Sequence, residues 1–124
     1  MDANFLEHLA HLFYAVAKAD RNLSFEEYVK LSESLERHWS HIGNDNIAQI
    51  KANFNMLQKE NIPAELCFNA FIEYLHQNPN VFNNDLKKLI FKTANEIAYA
   101  FAKINKSELK FMAKLSLEFK KVEP

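Results

Sequence analysis

Gly43 is the only glycine in a chain of 124 residues, and that scarcity limits what the chain can fold into. Hairpins, bulges and the tight connections of α/β domains need residues that accept positive φ, chiefly glycine. A helical domain needs far fewer, because asparagine can cap helices and occupy left-handed turns. The chain has 14 asparagines; Asn22, Asn44, Asn46, Asn61, Asn78, Asn80, Asn83, Asn84 and Asn105 fall between stretches of helical periodicity. No segment alternates apolar and polar residues for long enough to make a strand. The expected fold is all-α, a single compact bundle of six or seven helices over residues 1–124.

Apolar spacing sets out those helices. Phe5, Leu9, Leu12 and Val16 form one stripe, widened by Leu6, Phe13 and Ala17, with Asn4, Glu7, His8, His11 and Lys18 on the opposite, solvent-facing arc; the first helix covers about 3–19. Ser24-Phe25-Glu26-Glu27 reads as a capping box opening the second helix. Tyr28, Leu31, Leu35 and Trp39 turn inward, and Gly43-Asn44 stops it. Ile47, Ile50, Phe54 and Leu57 define a third helix, capped by Asn44 or Asp45 and ending before Ile62-Pro63. The fourth opens at Pro63, buries Cys67, Ala70, Phe71, Tyr74 and Leu75, and ends at Pro79. The fifth starts at Asn83 or Asn84 and is apolar around most of its circumference. Its polar strip is Lys88, Lys92, Asn95, Glu96, Tyr99 and Lys103, which predicts a central helix. Ser107 caps the sixth, which turns Leu109, Met112, Leu115 and Phe119 inward. Phe25, off the inward stripe, is expected to staple against the first or fifth helix, the other choice being exposure at an interface.

A net charge of −1 argues against a general nucleic-acid binder. No apolar run is longer than the six residues of Leu12 to Ala17, too short to span a bilayer. Cys67, the only cysteine, excludes an internal disulfide framework, and the Met1-Asp2-Ala3-Asn4 start lacks the positive region of a secretory signal; the expected location is cytoplasmic. The balance hides an asymmetry. Residues 1–79 carry a net −5 and residues 80–124 a net +4. Either the halves neutralise each other where they pack, or the C-terminal part offers a basic face to an acidic partner or a membrane surface.

Catalytic constellations are scarce. No nucleophile elbow, glycine-rich phosphate loop or zinc-protease helix occurs. Cys67 sits on an apolar face and reads as a small core hydrophobe. His8 and His11, three apart, have a spacing that can present two imidazoles to a metal, which would make a metal-dependent hydrolase; their solvent-facing register favours plain surface histidines. Ala19-Asp20-Arg21-Asn22-Leu23, followed by the capping box, brings Asp20, Glu26 and Glu27 near one helix N-terminus, a set of oxygens suited to Ca²⁺ or Mg²⁺. An EF-hand does not fit, since Val16, Lys18 and Arg21 would occupy two ligand positions and the obligatory glycine.

The segment Ala17-Lys18-Ala19-Asp20-Arg21 followed by Ser24-Phe25-Glu26-Glu27 resembles the signature of the TerB-like (tellurite-resistance) helical domains. In that family an Ala-rich helix ends in Ala-Asp-Gly before Ser-x-x-Glu opens the next. A second copy near the C-terminus resembles Tyr99-Ala100-Phe101-Ala102-Lys103, then Ser107-Glu108, and Tyr14-Ala15-Val16-Ala17-Lys18 aligns with it without a gap. Arg21 stands where the family has glycine, and the second copy lacks the Asp-Gly pair. The resemblance implies a TerB-like bundle with a degenerate internal repeat. It also implies a non-enzymatic interaction module linked to tellurite resistance and stress response, with a protein partner. It carries over Asp20, Glu27 and Glu108 as acidic positions for a weak divalent-cation site, with Glu26 as neighbour. The alternative is a small immunity or antitoxin-like protein that blocks a partner enzyme by surface complementarity.

Overall fold

A computed structural model describes residues 1–18, 24–101 and 107–123, with side chains for all of these but 101, 107 and 108. Six α-helices follow one another: α1 (Ala3–Lys18), α2 (Phe25–Trp39), α3 (Asn44–Lys59), α4 (Ala64–Gln77), α5 (Asn84–Phe101) and α6 (Ser107–Lys121). Single turns of 3-10 helix, Ser40–Ile42 and Pro79–Val81, precede α3 and α5. No strand occurs among the described residues. The bundle is all-α, as the glycine count predicts.

The helix ends show how a chain with one glycine manages its turns. Ser24 Oγ accepts from the Glu27 amide (3.1 Å) and Glu27 Oε1 accepts from the Ser24 amide (3.0 Å), which completes the capping box read from the sequence. α3 ends on Asn61, which takes φ 54°. The Ile62 amide reaches back to the Leu57 carbonyl and the Asn61 amide to that of Gln58, both at 3.1 Å. This is a Schellman motif with asparagine in the position glycine usually holds. Gly43, at φ 93°, is the N-cap of α3 and makes no side-chain cap. Neither Asn44 nor Asp45 caps that helix, because both already lie inside it.

The central helix is α1, not α5. α1 packs on α3, α4, α5 and α6 together, and from Leu12 to Ala17 every side chain is fully buried. Ala10, Ala15 and Ala17 let neighbouring helices approach, and Tyr14 is satisfied in the interior by donating to the Ile62 carbonyl (2.8 Å). α5 packs on α1, α2 and α6 but leaves Lys88, Lys92 and Tyr99 exposed, along the strip its periodicity predicts. Small residues explain the inversion. An apolar arc made of alanines looks narrow by hydrophobicity, yet close packing against it is what encloses a helix. α2 is tied to α5 through Trp39, whose Nε1–H donates to Thr93 Oγ1 (2.9 Å) while that hydroxyl donates to the Leu89 carbonyl (2.8 Å).

Candidate functional site: a basic groove between α5 and α6

Where α5 packs against α6, the two helices leave an open groove of about 550 Å³. Its walls follow from helical spacing. On α5, Lys87, Lys88, Phe91 and Lys92 come round on one side; on α6, Ser116, Phe119 and Lys120 do the same. Asn84 and Glu123 close the ends. The floor is aromatic. Phe119 is buried and joined to Phe71 and Phe82 by ring contacts at 6.3 and 6.5 Å, and Phe91 is half-buried. The rim is cationic, with Lys88, Lys92 and Lys120 all exposed and Glu123 the one carboxylate among the described lining residues.

Lys87 builds the groove rather than lining it passively. Only 8 % of it is exposed, and its ammonium donates to the Phe119 carbonyl (2.9 Å) and to that of Val122. A cation at the C-terminus of α6 satisfies carbonyls that the helix leaves open and complements its negative end. The side chain thereby pins the last turn of α6 to α5. Replacing Lys87 with methionine keeps the stem and removes the donors, leaving two carbonyls without their partner. The expected cost is about 2 kcal/mol, since hydrogen bonds to charged groups are worth about 1.5–3 kcal/mol and the lost ammonium desolvation offsets part. Chemical denaturation reads the cost, and faster amide exchange in the last turn of α6 locates it.

The groove also settles where the excess charge of the C-terminal part goes. Among the described residues, the ion pairs that join the two parts of the chain run opposite to their net charges. Arg37 and His38 of α2 meet Glu96 of α5 at 2.6 and 2.7 Å, and His76 of α4 meets Glu118 of α6 at 2.6 Å. In these pairs the acidic part supplies the cations and the basic part the carboxylates, and Lys88, Lys92 and Lys120 stay exposed.

These pairs set an acid limit on stability. Burial pushes the Glu96 carboxyl up, but the hydrogen bond and charge of His38, with Arg37, outweigh it and hold the group below the usual carboxylate range. His76, then Lys121, do the same for Glu118. A carboxyl depressed in the folded state stabilises above its unfolded pKa, about 4.3, and that contribution is lost as pH falls through the lower folded value. Both pairs are partly exposed, so each contributes under about 1 kcal/mol. The melting temperature of the native chain is expected to fall more steeply between pH 4.5 and 3 than that of a Glu96→Gln/Glu118→Gln double variant. Parallel curves would remove this account.

The carboxylates carried over from the sequence are only partly in view. Asp20 lies outside the described residues, as does the side chain of Glu108. Glu27 is held in the capping box, and Glu26 beside it is exposed. No group of three or more His, Cys, Asp or Glu side chains positioned for a metal occurs among the described residues. His8 and His11 are half-buried, not free on the surface. Each donates Nδ1–H to the carbonyl four residues back, at 2.6 and 2.8 Å, and His8 stacks on Tyr74 with ring centres 4.3 Å apart. Cys67 is buried, and burial raises its thiol pKa to about 11 against the opposing pull of Lys18. Phe25 forms no staple: it is 72 % exposed.

Two further hollows are electrostatically neutral or polar. One between α2 and α5, about 260 Å³, sets Lys30 and Arg37 against Glu33 and Glu96. The other, about 460 Å³, lies by Asp2, His8, Glu73 and Tyr74. Comparison with family models, with curated proteins and with solved structures returns no match for this chain. No described helix is long and apolar enough to cross a membrane.

Proposed function

We propose that this chain is a non-enzymatic interaction module of the TerB-like kind, and that its working surface is the α5/α6 groove, which receives an acidic amphipathic helix from a protein partner. The observation that supports the groove as the working surface most directly is the pairing of an aromatic floor with exposed lysines on both walls; the TerB-like kind rests on the sequence resemblance alone. From Asn84 to Lys92 the α5 wall runs about 12 Å, two helical turns. That length fits a helix presenting two apolar side chains four residues apart, with carboxylates flanking them. The lysine heads supply steering and orientation, and the floor supplies burial. A nucleophilic role for Cys67 has no support, because a buried thiol with a raised pKa is not a thiolate near neutral pH.

The test uses a synthetic acidic peptide with two leucines four residues apart among glutamates. Amide shifts confined to residues 84–92 and 116–123, weakened at least about tenfold by Lys88→Glu/Lys92→Glu and by 0.5 M salt, are the expected result. No shift there removes the reading. Pull-down of the chain by anionic phospholipid vesicles through the same lysines, with the peptide inert, would replace a protein partner with a membrane surface.

The reading retains a weak divalent-cation site at Asp20, Glu27 and Glu108, carried by the family resemblance. Calorimetry with Ca²⁺ and Mg²⁺ on the native chain and on Asp20→Asn decides it. Heat in the first that is lost in the second supports the site, and no heat removes it.

A further inference from the structure

The molecule carries on its own surface a helix face that matches this groove. α2 leaves Phe25 and Val29 exposed, four residues apart and therefore side by side. At about 100° per residue, Glu33 and Glu36 fall on the same side of the helix as Phe25, with Glu26 at its edge. All three are exposed. Lys30 and Arg37 come round beyond that arc, and Arg37 is already held by Glu96. Glu36 shares an exposed ion pair with Lys51 (3.2 Å), a contact weak enough to be exchanged. The capping box fixes the first turn of α2, so this face is ordered before it meets anything, which lowers the entropic cost of docking.

We propose that α2 of one molecule docks in the α5/α6 groove of a second copy, with Phe25 and Val29 over Phe91 and Phe119, and with Glu26, Glu33 and Glu36 facing Lys88, Lys92 and Lys120. The proposal rests on the reading of the groove as a seat for an acidic amphipathic helix, and it names that helix. Charge complementarity carries it: two apolar side chains one turn apart fit within the two-turn aromatic floor, and three carboxylates spread over about three turns of the same face meet the three long lysine side chains around it. A contact built on one short helix is small, so the association is weak and salt-sensitive. Because the two surfaces differ, each molecule has one of each to offer.

That asymmetry gives the experiment. Sedimentation of the native chain from about 10 µM to 1 mM is expected to show mass rising with concentration at low salt and reverting to one chain in 0.5 M salt. Phe25→Asp disables the helix face, and Lys88→Glu/Lys92→Glu disables the groove; all three positions are exposed, so neither variant perturbs the core. Each variant alone stays a single chain. Their equimolar mixture is expected to form a complex of two chains and no more, since one intact α2 face then meets one intact groove. A native chain that stays single at 1 mM, or a mixture that does not associate, overturns the proposal. If the acidic peptide still binds residues 84–92 and 116–123 in that event, the groove reading survives and only the second copy is wrong. If the peptide fails as well, both fall.

Discussion

Replacing Phe82 with alanine is expected to remove about 3–5 kcal/mol of stability, the range for deleting a fully buried aromatic ring. Phe82 belongs to no helix. It follows the short 3-10 turn Pro79–Val81 and has no exposed surface. Its ring meets Phe5 of α1 (5.9 Å), Phe71 and Tyr74 of α4 (5.8 and 6.0 Å) and Phe119 of α6 (6.5 Å). Three helices therefore converge on one side chain of a connector, and aromatic pairs in such geometry add to simple area burial. The hole left by alanine is bounded by rings on rigid helices, which cannot collapse into it without moving the helices apart. Since domains of this size are stable by roughly 5–15 kcal/mol, the variant should melt about 10–20 °C lower. Leucine at the same position fills most of the volume and should cost about 1–2 kcal/mol. If alanine and leucine cost the same, the ring cluster is not what holds α4 and α6 to α1. Phe119 also floors the groove, so the alanine variant should weaken binding of the acidic peptide beyond its effect on folding.

Phe82 shows where periodicity stops being informative. Apolar spacing marks six helices because each has an inward stripe of three or more residues, and capping residues mark several of their ends. Ser24 and Glu27 are legible as a reciprocal cap, since they act through their own backbone neighbours, whereas Asn61 is only one of nine asparagines between helical stretches and nothing local singles it out for the left-handed turn. Phe82 lies between Pro79 and the asparagines that open α5, in a stretch too short to have a period, so nothing local marks it as core. The same limit applies to Lys87. Its register shares the apolar arc of Ile90 and Ala94, and a lysine there is the one local sign that an ammonium is held inside. What it holds, the end of α6, is more than thirty residues away in sequence.

The groove was legible only as a charge excess. The net +4 of residues 80–124 allowed either neutralisation against the acidic part or a basic face. Which of the two occurs depends on the rotation of α5 and α6 about their axes, which is set by packing and not by composition. The ion pairs of Glu96 and Glu118 turn those two carboxylates toward α2 and α4, and that leaves the groove side to Lys88, Lys92 and Lys120 with Glu123 at its end. Phe25 shows the converse. Ser24 is the N-cap, so Phe25 is the first helical residue and not the preceding one that a staple uses, and its exposure beside Val29 gives α2 an outward apolar edge.

Aspartate at Ala15 is expected to unfold most of the population, whereas aspartate at Ala100 is expected to cost about 1–2 kcal/mol. The two alanines occupy matching places in Tyr14-Ala15-Val16-Ala17-Lys18 and Tyr99-Ala100-Phe101-Ala102-Lys103, so local sequence does not separate them. Their surroundings do. Ala15 is fully buried in the helix that α3, α4, α5 and α6 enclose, and its neighbours Tyr14 and Val16 are fully buried too. Ala100 is partly buried at the α2/α5 hollow, beside Lys30, Arg37, Glu33 and Glu96, and Tyr99 next to it is 66 % exposed. A carboxylate at Ala15 has no room, no water and no cation within the helix's own apolar face, and an uncompensated buried charge costs several kcal/mol before strain is counted. That approaches the whole stability of a domain this size. At Ala100 the added charge reaches water in a hollow whose two cations are balanced by Glu33 and Glu96, leaving mainly a loss of helix propensity and of some apolar contact, with a small repulsion from Glu96 four residues back. Urea unfolding of both variants measures the gap. Equal costs would mean that the two Tyr-Ala-x-Ala-Lys segments sit at equal depth, and that α1 is not the enclosed helix around which the bundle is built.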